Sequence, residues 1–177
     1  MPNPRSKHWR HPIISSGGVL FRERTSQGDW EYLLLKHSRG SFWDFPKGRR
    51  ERGENDLQTA KREICEETGC KPPHLKILRR LKFVIRYSVQ RGKLLLNKEV
   101  RLFLVRVSRD FQVELSEEHL NFEWMTYEEA LKRITHNSSK KSLIEAHSWI
   151  QENSKLLFKD NNNETPLSTL QPASNND

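Results

Sequence analysis

A chain of 177 residues, 34% of them apolar, is long enough for one compact core and short for two, so a single domain is expected. The 31 Lys and Arg outweigh the 23 Asp and Glu to give a formal charge of +8, which favours anionic partners such as nucleotides, RNA or acidic lipids. Only Cys65 and Cys70 are present, which excludes a disulfide framework and a four-ligand zinc site and points to a reducing cytosolic or nuclear setting, and no apolar run suggests a secretory leader or a membrane span.

Residues 1–11 are basic and Pro-containing and are expected to form a flexible arm, with the fold over residues 12–156 and a disordered polar tail over 157–177. Within the fold, SSGGVLFRE and WEYLLLKH predict two short strands, and NDLQTAKREICEET predicts a helix with Leu57, Ala60 and Ile64 at helical spacing. Gly69 stands where a glycine ends such a helix. Next, LKILRRLKFVIRYSV and LLLNKEVRLFLVRV predict two long strands around QRGK, and NFEWM a further short one. Thr126 and Glu129 form a capping box for a helix over YEEALKRI. A last helix, SKKSLIEAHSWIQE, carries Leu143, Ala146, His147 and Ile150 on one stripe.

The segment from 42 to 70, FWDFPKGRRERGENDLQTAKREICEETGC, carries the chemistry. On the first helix Glu63 and Glu67 are four apart and Glu66 is three from Glu63, so three carboxylates project from neighbouring positions. Such like charges repel unless neutralised, and a hard divalent cation with oxygen ligands removes that penalty. Arg62 is placed to pair with a carboxylate of the preceding loop such as Glu54. A Glu-rich helix surface alone is ordinarily a solvated face. Here the full spacing carries the weight: Gly48, five residues, Glu54, seven residues, then Arg62-Glu63-Ile64, Glu66-Glu67, Gly69 and Cys70. By average residue frequencies this pattern arises by chance with odds on the order of one in a million.

This segment resembles the Nudix box, the loop-helix-loop signature of the Nudix hydrolase family, with Cys70 where the family prefers an aliphatic residue. The resemblance implies an α/β/α sandwich with a mixed sheet and water attack on a phosphorus of a nucleoside diphosphate linked to another group. It also implies Glu54, Glu63, Glu66 and Glu67 as ligands of Mg²⁺ or Mn²⁺, Glu63 and Glu67 as catalytic carboxylates with Glu63 as the base, and Gly48, Arg62 and Gly69 as structural positions of the motif. Lys47 stands just before Gly48, within reach of phosphate oxygens as a point charge.

Further along, LSEEHLNFEWMTYEEALKRI and the Tyr87 strand, with FW ahead of PKG, are similar to the asymmetric diadenosine tetraphosphate hydrolases. That likeness implies Glu118 as a catalytic carboxylate outside the box, His119 as a phosphate contact, Tyr87 as the stack for an adenine and Lys93 as a contact to the far phosphates. Trp43 is expected near the site. Asp44-Phe45-Pro46-Lys47 departs from the pair of prolines typical of animal and plant members, a form shared with bacterial members, mRNA-decapping enzymes and diphosphoinositol polyphosphate hydrolases. The ranking is therefore a dinucleoside polyphosphate first, a cap or RNA 5′-pyrophosphate second and a diphosphoinositol third, with a non-catalytic binding module last. RNA is a conceivable partner without an RNA-binding motif, and a monomer is the expected state.

Overall fold

The computed structural model describes residues 11–24, 29–92 and 94–161. The elements in chain order are β1 (Ile13–Glu23), β2 (Trp30–His37), β3 (Trp43–Asp44), β4 (Lys47–Arg49), α1 (Asp56–Thr68), β5 (Leu75–Arg91), β6 (Leu94–Val107), β7 (His119–Met125), α2 (Tyr127–Arg133) and α3 (Asn137–Asn161). The sheet runs β3-β2-β1-β6-β5, with β4 also on β1 and β7 also on β2. β1 lies parallel to β6 and antiparallel to β2 and β4, so the sheet is mixed.

The central strands read as nearly unbroken apolar runs because both faces are covered. Alternation sorts their side chains into two cores. Val19, Phe21, Tyr32, Leu34, Leu102 and Leu104 pack with Ala130 of α2 and with Leu143, Ala146 and Ile150 of α3. Leu20, Leu33, Leu35, Phe103 and Val105 pack with Ala60 and Ile64 of α1. One sheet between α1 and the α2–α3 pair is the expected α/β/α sandwich.

Asn55 caps α1 by a reciprocal box with Gln58, and Gly69 closes the helix at φ 73, its N–H donating to the Cys65 carbonyl. Leu57 is 38% exposed, so the apolar part of the buried stripe of α1 begins at Ala60, beside the buried Thr59. The Thr126–Glu129 box is formed at α2. Cys70 is fully buried and its thiol is pushed up to about 12 by burial, so it serves as a small hydrophobe.

Three features differ from the sequence reading. β3 and β4 are too short to show any periodicity and are broken by Pro46, so the sequence carries no strand signal for them. β7 begins at His119, two residues before the expected start. α3 continues to Asn161, so the boundary expected at 156 falls inside it. Its buried stripe runs one step past Ile150 to Leu157, whose carbonyl accepts a hydrogen bond from Arg106 Nη1 at 2.8 Å. The arm over residues 1–10 and the tail over 162–177 lie outside the described residues.

A chain ending at residue 156 loses the Leu157 burial and this hydrogen bond. It is expected to be about 2–3 kcal/mol less stable than one ending at 161 in equilibrium urea unfolding. Equal midpoints would contradict the packing described.

Candidate active site

β1 carries Gly17 because β4 crosses it closely: a Cβ at Gly17 would lie 2.1 Å from the Pro46 carbonyl oxygen. The pairing of Ser15, Ser16 and Gly17 with Arg49, Gly48 and Lys47 holds β4 over α1. Two carboxylates of α1 meet it there. The backbone N–H of Lys47 donates to Glu67 Oε2 at 2.9 Å. Gly48 lies so near Glu63 that a Cβ on it would fall 2.0–2.3 Å from the carboxylate atoms.

Arg62 gathers the remaining acids. Its Nε donates to Glu54 Oε1 at 2.7 Å, its Nη1 to Glu63 Oε1 at 2.8 Å and to Glu66 Oε2 at 2.9 Å, and its Nη2 to the Arg49 carbonyl at 2.9 Å. The pairing of Arg62 with Glu54 expected from spacing is thus present, and Thr59 Oγ1 adds a 2.8 Å bond to Glu54 Oε2. The Arg62 hydrogen bonds hold the Glu54 carboxyl down at about 2. Burial pushes the Glu63 carboxyl up against the pull of Arg62. It pushes Glu67 further, to about 8, with Lys47 opposing and Glu63 and Glu118 adding repulsion.

Glu118 is exposed on the turn before β7, where its backbone carbonyl accepts the Ser38 N–H at 2.9 Å and its side chain reaches the rim of the carboxylate cleft. His119, expected as a phosphate contact, lies beside the carboxylates. It is buried behind Glu67, with Nε2 3.9 Å from Glu67 Oε2 and its ring 5.0 Å from His37. Burial, with His37 and Lys47 nearby, pushes its pKa down to about 4, which favours the neutral imidazole with a single N–H donor.

A second cleft of about 540 Å³ opens on the α3 side of the sheet, lined by Phe42, Tyr87, Lys98, His136 and Ser139, and shares His37, Lys47 and Gly48 with the carboxylate cleft. Tyr87 is 44% exposed, in register opposite Lys98, whose Nζ is 5.9 Å from its ring. Phe42 stacks on His37 at 4.8 Å. Lys47 is held at the junction by Asp44, Nζ to Oδ2 at 3.0 Å.

Trp43 is not in this wall. It is buried in the core beneath Arg133, whose guanidinium lies 4.9 Å from its ring. Phe45 is likewise buried in that core, so the departure from two prolines changes packing rather than a cleft surface. Lys93 lies outside the described residues. Sequence reasoning missed Phe42, His37, Lys98 and His136 as cleft residues. Only Lys98 had a signal, its even spacing with Val100, Leu102 and Leu104 on β6.

The carboxylates fit a hard divalent cation. Their donors are all oxygen, their like charges are concentrated, and Gly48 leaves the room that a Cβ would fill at Glu63. Among the described residues no three of them already close on one point as a metal shell, since Arg62 draws Glu54, Glu63 and Glu66 toward itself. Gly48→Ala should displace the Glu63 carboxylate and weaken Mn²⁺ binding by at least about tenfold, read by calorimetry, with helix content unchanged. Unaltered affinity would show that Glu63 holds no cation at this position.

The Nudix domain profile matches residues 12–147. The chain is 39% identical over 145 residues to the asymmetrical bis(5′-nucleosyl)-tetraphosphatase of Mus musculus, covering 78% of this chain and 95% of that protein. It is 34% identical over 144 residues to the protein of the same name from Sus scrofa, again across 78% and 95%. A C. elegans Ap4A hydrolase binary complex superposes with a TM-score of 0.68 at 26% identity, over 79% of this chain and 98% of that one. With the profile spanning the box, the sheet and both flanking layers, this chain belongs to the Nudix family.

Proposed function

We propose that the chain is a Mg²⁺-dependent hydrolase of dinucleoside polyphosphates that cuts diadenosine tetraphosphate into ATP and AMP by attack of water. The observation that carries this reading is the junction of the two clefts. A carboxylate cleft suited to a cation and an aromatic cleft suited to a base share Lys47, Gly48 and His37, so a base in one puts its phosphate chain over the other. The names of the mouse and pig relatives and of the nematode structure support the same substrate.

Glu63, Glu66 and Glu67 would hold the cation, with Glu54 as a further ligand, and Mn²⁺ suits the same oxygen donors. When bound, the cation neutralises phosphate charge and lowers the pKa of a water. The residues do the rest. Glu67 is fixed in orientation by the Lys47 N–H, and Glu63 by Gly48 and Arg62. Glu63 takes the proton from the attacking water, and Glu118 approaches it from the opposite rim. Lys47, tethered by Asp44, offers a point charge to the phosphates at the junction. Tyr87 stacks the base, with Lys98 beside it at the start of the phosphate chain, and Lys93 remains the expected contact to the far phosphates.

Free thiols at Cys65 and Cys70 suit a reducing cytosolic or nuclear setting, and no described helix is long and apolar enough to cross a membrane.

With Mg²⁺, purified protein is expected to turn over diadenosine tetraphosphate faster than a capped RNA or diphosphoinositol pentakisphosphate. Glu67→Gln should lower kcat by at least about 100-fold while the thermal midpoint is kept. Faster cleavage of one of the other two would keep the carboxylate chemistry and replace the substrate. Full activity in Glu67→Gln would remove the proposed centre.

A further inference from the structure

On the α1 side of the sheet, away from the aromatic cleft, four arginines converge on two carboxylates. Asp56 is paired with Arg50 Nη2 and with Arg101 Nη1 at 2.9 Å, and Arg80 Nη1 stands 3.8 Å from it. Glu99 accepts from Arg86 Nε at 3.0 Å and from Arg101 Nη2 at 3.1 Å. Four guanidiniums against two carboxylates leave an excess of two positive charges in one patch. Such crowding is costly unless an anion joins it.

Several observations make this patch a candidate for a ligand rather than a closed structural network. The side chains of Arg80 and Arg86 are 47% and 66% exposed and offer donors to solvent, while the Nε atoms of Arg50 and Arg101 lie buried without a hydrogen-bond partner beneath them. The acids hold the guanidinium planes in place, which lowers the ordering cost of binding. Most tellingly, the patch is continuous with the carboxylate cleft: Arg50 lines that cleft together with Arg49 and Arg52 while it also bonds Asp56.

We propose that this arginine patch is a second anion site, which receives the distal phosphates of a polyphosphate chain leaving the carboxylate cleft on the side opposite the base in the aromatic cleft. The substrate assignment of the patch rests on the reading under Proposed function, but its affinity for phosphate does not. The patch extends the cleft that holds the scissile bond, so it rewards chains longer than the cation alone spans. Guanidinium forks match successive phosphate oxygens, which also makes the contact strongly dependent on salt.

The test is calorimetric titration of the full chain with inorganic tripolyphosphate in EDTA, where the carboxylate cleft without a cation repels the anion. The Arg80→Glu, Arg86→Glu double variant should bind about tenfold or more weakly than wild type. Lys132→Glu, an exposed charge on α2, should shift the affinity by less than about twofold. Thermal midpoints identify any variant that fails to fold, and for such a variant Arg80→Gln with Arg86→Gln is measured instead, with the same direction expected. In Mg²⁺, the double variant should lose more kcat/KM toward dinucleosides with five or six phosphates than toward one with four. Unchanged tripolyphosphate binding in the double variant, or an equal loss in Lys132→Glu, would overturn the site. Binding of a 5′-triphosphorylated oligonucleotide with none of tripolyphosphate would overturn it in favour of nucleic acid. Tripolyphosphate binding as expected in a protein that cleaves no dinucleotide would keep the site and discard the substrate reading.

Discussion

The seating of α1 on β4 is the constraint on which the rest of the site depends. Glu67 accepts the Lys47 N–H and Glu63 presses against Gly48, so two carboxyls are drawn into a half-buried groove where burial raises the pKa of both. In a protein stabilised by packing alone this would be a poor use of a helix face. It is tolerated because Arg62 neutralises part of the charge, and it would become favourable were a divalent cation to supply the remainder, as proposed for these carboxylates. The same contact fixes β4 on β1, which requires Gly17, so the sheet, the loop and the helix are set by one short stretch of close approach.

The sheet's mixed topology then decides what surrounds this groove. The parallel β1–β6 pairing brings β6, and with it Lys98, alongside the strand that holds β4. The antiparallel β5–β6 hairpin puts Tyr87 opposite Lys98. Period-two alternation on β6 divides the basic residues into two functions. Lys98 faces the aromatic cleft on the α3 side, whereas Glu99 and Arg101 face Asp56 at the start of α1. A run of charges that looks uniform along the chain is thus two chemically separate surfaces.

This division explains what could and could not be read from the residues alone. The box chemistry is legible because its spacing is local: Glu63, Glu66 and Glu67 share one turn of helix, and Arg62 reaches Glu54 across one loop. The two-sided sheet followed from the resemblance carried by the box and agreed with the order of strands and helices. The aromatic cleft was not, because His37, Phe42, Lys98 and His136 meet only through strand register and the α2–α3 connection. Trp43 was the wrong choice of neighbouring aromatics for a simple reason. Adjacent residues at β3 point to opposite sides, and it is Phe42 that faces the cleft while Trp43 enters the core. The end of α3 was hidden because the short apolar run Leu156-Leu157-Phe158 is followed by a polar, Asn-rich stretch, and the burial of Leu157 is recognisable only once its place seven residues after Ile150 is known.

The proposed reaction requires water to attack one end of a polyphosphate chain laid across the carboxylates. Its most direct test is turnover of diadenosine tetraphosphate in ¹⁸O-labelled water with mass analysis of the products. Equimolar ATP and AMP with one label per turnover in one of them is the expected result. Two molecules of ADP, or products that carry no label, would contradict it.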